Sequence, residues 1–409
     1  ATRELHGRKA ELLEAFVFGR WNLDGKDASL RLGRHAFLWG ESLFFGSNGI
    51  AAAQAPVDAI KALSVPNTQF QELLRPVNQV SGQLALTPRV SVGGYYQFEW
   101  ERNRLPASGS CFSFNDFLDA GGERLYAGPG QAFFRRNDLE GRNRGQGGLQ
   151  LRWRMEQPDI DFGFYAVQYH DKSPQVYVYP GTNVNPAIGK FGEYALVYPE
   201  KIRAFGASFS STLFDANVAG EVSVRNNAPL VSTAAAGLGP GADNASGGLY
   251  AVGRTAHAQV SVIQSLPANA LWDGANLIGE VAWNRRLSIK RNAAMLDPNA
   301  TRDAWGLRFV LEPTYFQVAD GLDISVPIGV GYNPSGRSSA VSGFNGGASK
   351  GGDVSLGLAG TYLGVWKFSL NYTHYFGSAG SLLDASNALA FKQYFRDRDF
   401  VSFSLARTF

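Results

Sequence analysis

The sequence has little cysteine and no long apolar run. Cys111 is its one cysteine in 409 residues, which excludes an intramolecular disulfide and a multi-cysteine metal site. No stretch of about eighteen apolar residues could span a bilayer as a helix, so a helical membrane protein is excluded. Lysine and arginine are spread evenly and the net charge is +3, so we expect no nucleic-acid partner. No Pro- or Ser-rich linker divides the chain, and we expect one domain over residues 1–409.

The sequence is instead rich in glycine and aromatic residues, with 48 glycines and 13% Phe, Trp and Tyr. Apolar and polar residues alternate along many stretches; in the last one, Val401, Phe403 and Leu405 alternate with Ser402 and Ser404. This period of two is typical of strands with one apolar face. A soluble sandwich alternates in the same way, but here short turns alternate with long loops, as in outer-membrane barrels. We therefore predict an all-β fold, a transmembrane antiparallel β-barrel with about fifteen visible strands, in the outer membrane of a Gram-negative bacterium.

Residues 39–78 lose the alternation between two clear strands. Residues 56–63 have helical spacing with Pro56 in the first turn, and residues 68–74 are a second candidate for a short helix. A long segment of this kind is usually an external loop or one folded inward. Because its apolar side chains need a dry surface, we predict that it folds into the lumen as a plug or constriction. The predicted plug residues are Trp39, Glu41, Phe44, Phe45, Asp58, Ile60, Leu63, Phe70 and Leu74.

Other stretches are predicted as plain strands or loops. Residues 102–146 form a second irregular segment, and residues 177–180 and 234–248 lie in further loops. Residues 322–332 alternate without a break and predict one strand.

Charged residues of both signs occupy strand positions that are predicted to face the lumen. They are Arg31, Glu99, Arg152, Arg154, Asp161, Glu221, Arg225, Glu280, Arg286, Arg308, Glu312 and Asp323. They could line a conduction path or form ion pairs that fasten a plug. The mixture of signs favours fastening, because a selective pore usually concentrates one sign at its constriction. Glu41 and Asp58 could bind polar groups of a ligand, but we favour their pairing with lumen arginines.

The last strand carries the expected C-terminal signal of a barrel, Phe403, Leu405 and Phe409, so the barrel assembly machinery and outer-membrane lipids are expected partners. If Phe409 lies on the periplasmic side, every long loop falls outside, and the first visible strand also starts outside. A bacterial barrel has an even strand number and a periplasmic start. We therefore expect the sequence to be the C-terminal portion of a barrel of about 16–18 strands or more, with an odd number of N-terminal strands missing.

Nothing in the sequence indicates an enzyme, and we expect no catalytic residue, cofactor or metal site. His257 and Ser261 share one strand face, but four residues along a strand separate them by about 13 Å. That is too far for a nucleophile and its base. Residues 320–323, with Asp320 and Asp323, could suggest a metal-binding loop, but the Asp320-Gly321 pair is first of all a turn signal.

Several short runs together resemble a known family. They are Leu30-Arg31-Leu32-Gly33-Arg34, Trp39-Gly40-Glu41-Ser42, Ala55-Pro56-Val57-Asp58, Leu74-Arg75-Pro76-Val77-Asn78, Ser113-Phe114-Asn115-Asp116-Phe117 and Val197-Tyr198-Pro199-Glu200-Lys201-Ile202-Arg203. In this order they resemble the proteobacterial outer-membrane family filed as domain of unknown function 1302. Ala55 and Arg75 depart from the family's commoner residues. The resemblance implies an exported barrel, longer at its N-terminus, encoded beside a lipoprotein-like partner and an inner-membrane transporter of the resistance-nodulation-division type. It implies no catalytic residue.

Two functional classes follow. The first is an outer-membrane channel or transporter for hydrophobic or lipid-like molecules, gated or plugged by residues 39–78. The second is a closed structural or assembly barrel that acts as the outer-membrane partner of a trans-envelope lipid export system. Removal of residues 51–68 should raise flux only in the first.

Overall fold

A computed structural model describes residues 12–237 and 242–408 of the chain. Almost all of its regular structure is β. In chain order, the strands are β1 (Ala15–Leu23), β2 (Lys26–His35), β3 (Val77–Thr87), β4 (Val90–Gln97), β5 (Arg124–Gly128), β6 (Gln131–Arg135), β7 (Gln146–Glu156), β8 (Asp159–Tyr169), β9 (Gln175–Asn185), β10 (Lys190–Val197), β11 (Ile202–Leu213), β12 (Ala216–Pro229), β13 (Ala235–Ala236), β14 (Val252–Leu266), β15 (Gly274–Arg291), β16 (Asp303–Ala319), β17 (Leu322–Ser325), β18 (Ile328–Gly336), β19 (Gly352–Tyr362), β20 (Trp366–Phe376) and β21 (Phe400–Arg407).

Sixteen strands form one antiparallel sheet, which we call the wall. Its order is β1-β2-β3-β4-β7-β8-β11-β12-β14-β15-β16-β17-β19-β20-β21, and β18 pairs with β16 and β19. Among the described residues, no hydrogen-bonded register joins β1 to β21, so the order ends on these two strands. Most neighbours in the order are also neighbours in sequence, which is an up-and-down arrangement.

The wall has an apolar outer face because apolar and polar side chains alternate along its strands. Leu149 is 70% exposed and Phe205 is 53% exposed on this face, and Val401, Phe403 and Leu405 are exposed on β21. The opposite, inner face is polar and buried, with a glutamine, histidine or glutamate at many positions. The prediction of an all-β antiparallel barrel fold with an inward-folded, partly helical segment is therefore confirmed. Phe409, the last residue of the predicted C-terminal signal, and residues 1–11 lie outside the described residues.

The two ends of the wall differ in the length of their connections. At one end, which we call the turn end, tight turns join β1 to β2, β7 to β8 and β11 to β12. At the other, which we call the loop end, the connections are long. Part of the loop end folds into a second sheet of five strands in the order β13-β9-β10-β6-β5. The prediction of an irregular segment over residues 102–146 and of loops over residues 177–180 and 234–248 is wrong at these strands. Two hairpins, β5–β6 and β9–β10, are joined by parallel pairing of β6 with β10, and β13 pairs in parallel with β9.

Proline breaks one predicted strand. Residues 322–332 form β17 and β18, with Val326 and Pro327 between them. Pro327 has no N–H for a ladder, and its carbonyl oxygen accepts from the amide of Gly357 at 2.8 Å. The prediction of one continuous strand is wrong at this point.

Residues 36–76, which we call the inner segment, connect β2 to β3 and lie against the inner face. They contain a 3-10 helix (Ile50–Ala53), a helix α1 (Ala59–Ser64) and a second 3-10 helix (Phe70–Leu73). Asp58 caps α1 by accepting from the amides of Ile60 and Lys61. Further 3-10 turns occur at Pro186–Ile188, Ala293–Met295 and Phe344–Gly346. In the described ranges, no helix has the length and apolar character needed to cross a bilayer.

Loops at the loop end meet across the wall. Arg398, just before β21, donates to the carbonyl oxygens of Cys111 and Ser113 in the connection that follows β4. The ring of Phe112 lies 5.1 Å from that of Phe400, centroid to centroid. These contacts bring together residues almost 300 positions apart, which requires the sheet to curl.

Candidate functional site

Glu221 on β12 binds the inner segment through its buried carboxylate, which belongs to a residue that is 4% exposed. Three groups of the segment donate to it: the amide of Glu41 at 2.9 Å, the hydroxyl of Ser42 at 3.2 Å and the amide of Ile50 at 3.0 Å. A carboxylate that accepts several N–H bonds forms some of the stronger hydrogen bonds in proteins. The wall thus holds both ends of residues 41–50.

Glu280 on β15 binds the middle of the same stretch and is 1% exposed. It accepts three consecutive amides: Leu43 at 3.3 Å, Phe44 at 2.5 Å and Phe45 at 2.8 Å. Buried backbone N–H groups need acceptors, and here the wall supplies them. Two wall carboxylates therefore serve six donors of one short stretch.

Arg225 on β12 is a positively charged donor, in contrast to the two acceptor carboxylates. Its Nη2 atom donates to three carbonyl oxygens: Ser47 at 2.9 Å, Asn48 at 2.8 Å and Gly49 at 2.9 Å. The two glutamates thus accept hydrogen bonds from backbone amides and the arginine donates to backbone carbonyl groups. The charges of the wall are therefore complementary to the backbone polarity of residues 41–50.

Asn48 is the residue of this stretch with the most side-chain partners. Its Oδ1 atom lies 3.1 Å from Nδ1 of His257 and accepts from Nδ2 of Asn284 at 3.2 Å. Its Nδ2 atom donates to Oε1 of Gln259 at 3.1 Å. These partners lie on β14 and β15, so Asn48 links the inner segment to two wall strands.

The carboxylate of Glu41 lies near the inner face of the wall, at β7, β8 and β11. Ser208 donates to it at 3.4 Å. Burial raises the pKa of Glu41 to about 7; the charge of Arg152 lowers it, and those of Glu221 and Asp161 raise it. Arg152 and Asp161, both predicted to face the lumen, thus lie within electrostatic reach of Glu41.

The apolar side chains of the inner segment pack in two groups. Trp39 packs against Phe37 and against Tyr95 of β4, with ring centroids 5.6 and 4.9 Å apart. Phe45 packs against Phe344 at 5.5 Å, in a cluster that Phe44 borders. Elsewhere in the segment, Phe70 is buried, and Ile60, Leu63 and Leu74 are half-buried.

Asp58 and Glu99 have other partners than a lumen arginine. Asp58 accepts from Arg104 at 2.8 Å, and Arg104 lies in the connection after β4 rather than on a wall strand. Glu99 follows the end of β4 and accepts from Arg34 at 3.0 Å and from Asn78 at 2.9 Å. The predicted lumen position of Glu99 is wrong, because the alternation was extended past the last residue of the strand. The ion pair matches the charge of Arg34, which lies one residue before the end of β2.

Five more of the predicted lumen charges have local partners, whereas the Nη1 atom of Arg286 on β15 is buried without a hydrogen-bond partner among the described residues. Arg308 donates to Asp353 at 2.7 Å, and Glu312 accepts from Ser325 at 2.7 Å. Asp323 accepts from the amide of Gln317 at 2.8 Å, Arg154 pairs with Asp159 at 3.1 Å at the turn end, and Arg31 lies over the ring of Phe16 at 4.4 Å. None of these five contacts joins the wall to the inner segment.

Comparison with known proteins supplies the family. The family model described as "Protein of unknown function (DUF1302)" matches residues 1–409. The chain belongs to this family. No curated protein matches the chain. Among solved structures, the crystal structure of the outer membrane channel DcaP of Acinetobacter baumannii is 9% identical, over 88% of this chain and 89% of that chain, with a TM-score of 0.29. At that TM-score the likeness does not bear on function.

In this DUF1302 member, two of the runs that carry the resemblance lie where the wall meets other segments. Gly40 and Ser42 lie against the carboxylate of Glu221. Glu200, between β10 and β11, is 2% exposed and accepts from Arg142 at 2.8 Å.

From the sequence, His257 was considered only as a catalytic base and rejected, and no role was assigned to Asn48, Gln259 or Asn284. The signal for three of them was present: a polar side chain on the inner face of β14 or β15. What the sequence does not contain is which part of the distant inner segment meets them.

Gly49 gives a first test in this DUF1302 member. A Cβ atom at Gly49 would lie 1.9 Å from Oε1 of Glu221 and 2.3 Å from Oγ of Ser42. We expect Gly49→Ala to displace Glu221 and to expose the amide of Ile50 to hydrogen exchange. Gly128→Ala is the matched control, because a Cβ atom there has no neighbour within 4 Å. Unchanged exchange at Ile50 in Gly49→Ala would contradict the packing of this glycine against Glu221.

Proposed function

We propose that this protein is an outer-membrane channel for hydrophobic or lipid-like molecules, whose lumen the inner segment closes. The observation that carries the proposal is the set of six hydrogen bonds from residues 41–50 to Glu221 and Glu280. They hold an irregular segment across the inside of a curled sheet, at strand positions near the middle of β12 and β15.

The outer face supports a membrane location. Exposed apolar side chains follow one face of the strands, such as Leu356 and Leu358 on β19. Aromatic pairs lie near both ends: Trp153 stacks on Phe162 near the turn end, and Trp283 lies 6.3 Å from Trp305 near the loop end. Apolar bands flanked by aromatic residues are characteristic of outer-membrane barrels. We therefore propose the outer membrane of a Gram-negative bacterium as the location.

The second candidate is a closed structural barrel that acts as the outer-membrane partner of a lipid export system, with a periplasmic lipoprotein and an inner-membrane resistance-nodulation-division transporter as partners. The contacts of Arg398 with Cys111 and Ser113 favour this second candidate. They join two loops at the loop end, and these loops would obstruct the barrel in addition to the inner segment.

Removal of residues 51–68, with a short Gly-Ser linker in their place, separates the two candidates. It deletes α1 and part of the first 3-10 helix but keeps the amides that bind Glu280. We expect the conductance in planar bilayers to rise several-fold. Removal of residues 182–188, at the tip between β9 and β10, is the control, because this tip is exposed and belongs to the five-stranded sheet. A barrel that stays impermeable without residues 51–68 would favour the closed structural role.

A further inference from the structure

Two neighbouring cavities lie between the inner segment and the loop end of the wall. The larger has a volume of about 250 Å³ and the smaller one of about 90 Å³. Both are lined by Ser47, Val341 and Ser342, so the two cavities adjoin at these residues.

The larger cavity is mainly apolar on one side. Phe44, Phe45 and Leu63 of the inner segment line it, together with Phe344 and Phe395 of two loops. An apolar protein cavity of roughly 150 Å³ accepts benzene, so by the same ratio the larger cavity has room for roughly ten carbon atoms. The charged groups on its wall, Arg308 and Asp353, are already paired with each other.

The smaller cavity is polar and carries net positive charge. Its ionisable lining groups are Lys172, Arg225, Asp171 and Tyr169. With Tyr169 neutral, two cations and one carboxylate leave one net positive charge. The carboxylate of Asp171 accepts from the amide of Ser173 at 2.9 Å.

Lys172 is the unusual member of this group. It is 5% exposed. Within the described residues its ammonium has a single hydrogen bond, 3.5 Å long, to the carbonyl oxygen of Ala53, and it lies 5.4 Å from the centre of the Tyr169 ring. An ammonium group has three donors, and a buried charge requires good partners. Burial lowers the pKa of Lys172 to about 8, while the charge of Asp171 raises it, so the group is still largely charged at neutral pH.

We propose that the two cavities together bind an amphiphilic carboxylic acid, with its carboxylate at Lys172 and its apolar chain among Phe44, Phe45, Leu63 and Phe344. A carboxylate supplies the acceptors that Lys172 lacks and neutralises the net charge of the small cavity. The apolar chain removes aromatic and aliphatic surface from water in the large cavity. The proposal rests on the proposed transport of hydrophobic molecules and assigns a chemical class to them.

The test measures binding of octanoate and of 1-octanol to the full barrel in lipid nanodiscs, by equilibrium dialysis with empty nanodiscs subtracted. We expect saturable binding of one octanoate per chain, at least tenfold tighter than that of octanol. Lys172→Met should abolish this preference and leave octanol binding unchanged. Lys367→Met, at the exposed start of β20, is the matched control and should keep the preference.

Leu63→Trp gives a second reading that does not involve Lys172. A larger side chain on α1 fills the large cavity, so the affinity for octanoate and for octanol should fall together. Equal affinities for the two probes in the unmodified protein, or a preference for octanoate that persists in Lys172→Met, would overturn the proposal. Because this assay measures binding and not flux, a barrel that binds octanoate but never conducts would refute the channel and leave the binding site standing.

Discussion

Glu221→Gln combined with Glu280→Gln should release the inner segment and open the lumen. Each substitution keeps the size of the side chain but replaces one acceptor oxygen with a donor NH₂ group that faces backbone N–H groups. A hydrogen bond to a charged group contributes about 1.5–3 kcal/mol. Six such donors are divided between the two carboxylates. We therefore expect this pair of substitutions to destabilise the closed state more than any other substitution proposed here.

Two measurements check the double variant. In planar bilayers, it should show open events that the unmodified barrel lacks. By hydrogen exchange, protection of the Leu43, Phe44, Phe45 and Ile50 amides should fall by roughly 10–100-fold for each carboxylate that is replaced. Protection that stays high while conductance rises would instead assign the opening to another part of the molecule.

Glu312→Gln is the matched control. Glu312 also lies on the inner face of the wall, but its carboxylate accepts from Ser325 of the wall and not from the inner segment. Its substitution changes the lumen charge by the same amount as one of the two test substitutions. If Glu312→Gln raised conductance equally, lumen charge rather than attachment of the segment would control opening.

The fastening differs in kind from what the sequence led us to expect. The charged residues of the plug were expected to pair with wall arginines, as side chain to side chain. In the structure, the charges are on the wall, and their partners in residues 41–50 are backbone groups except for the hydroxyl of Ser42. A backbone amide or carbonyl group occurs at every residue, so no sequence pattern marks the ones that a wall carboxylate will bind.

What the sequence could predict follows from local rules. The alternation of apolar and polar residues predicted the outer face. Within a single strand, this alternation is enough to place a side chain such as Phe403 or Leu356 on one face of the sheet. Helical spacing after Pro56 predicted α1, which begins three residues later at Ala59. The five-stranded sheet could not be predicted in this way, because β6 pairs in parallel with β10 more than fifty residues away. The errors at Glu99 and Pro327 are boundary errors, in which a correct period was continued beyond a residue that ends it.

The inner segment should also respond to pH through Glu41. Its carboxyl group faces Arg152, Glu221, Asp161 and Tyr165, and burial raises its pKa from 4.5 to about 7. We call the inner segment seated when it is bound to the wall and released when it is detached. A pKa of Glu41 that is higher in the seated state means that the seated segment binds the proton more tightly than the released one. Seating is therefore strongest below pH 4.5 and weakens as pH rises to about 7, where the carboxylate becomes charged beside Glu221.

We expect about tenfold less protection of the Leu43–Phe45 amides at pH 8 than at pH 5, after correction for intrinsic exchange rates, because solvent screening reduces the effect of the full shift. Glu41→Gln should weaken this dependence, since its amide does not titrate while the two wall carboxyl groups still do. Glu72→Gln is the control in the same segment, because Glu72 is exposed and pairs with Lys61. A pH dependence that is undiminished in Glu41→Gln would assign the titration to Glu221 or Glu280. The wall carboxylates would then be both the attachment of the inner segment and the groups that release it.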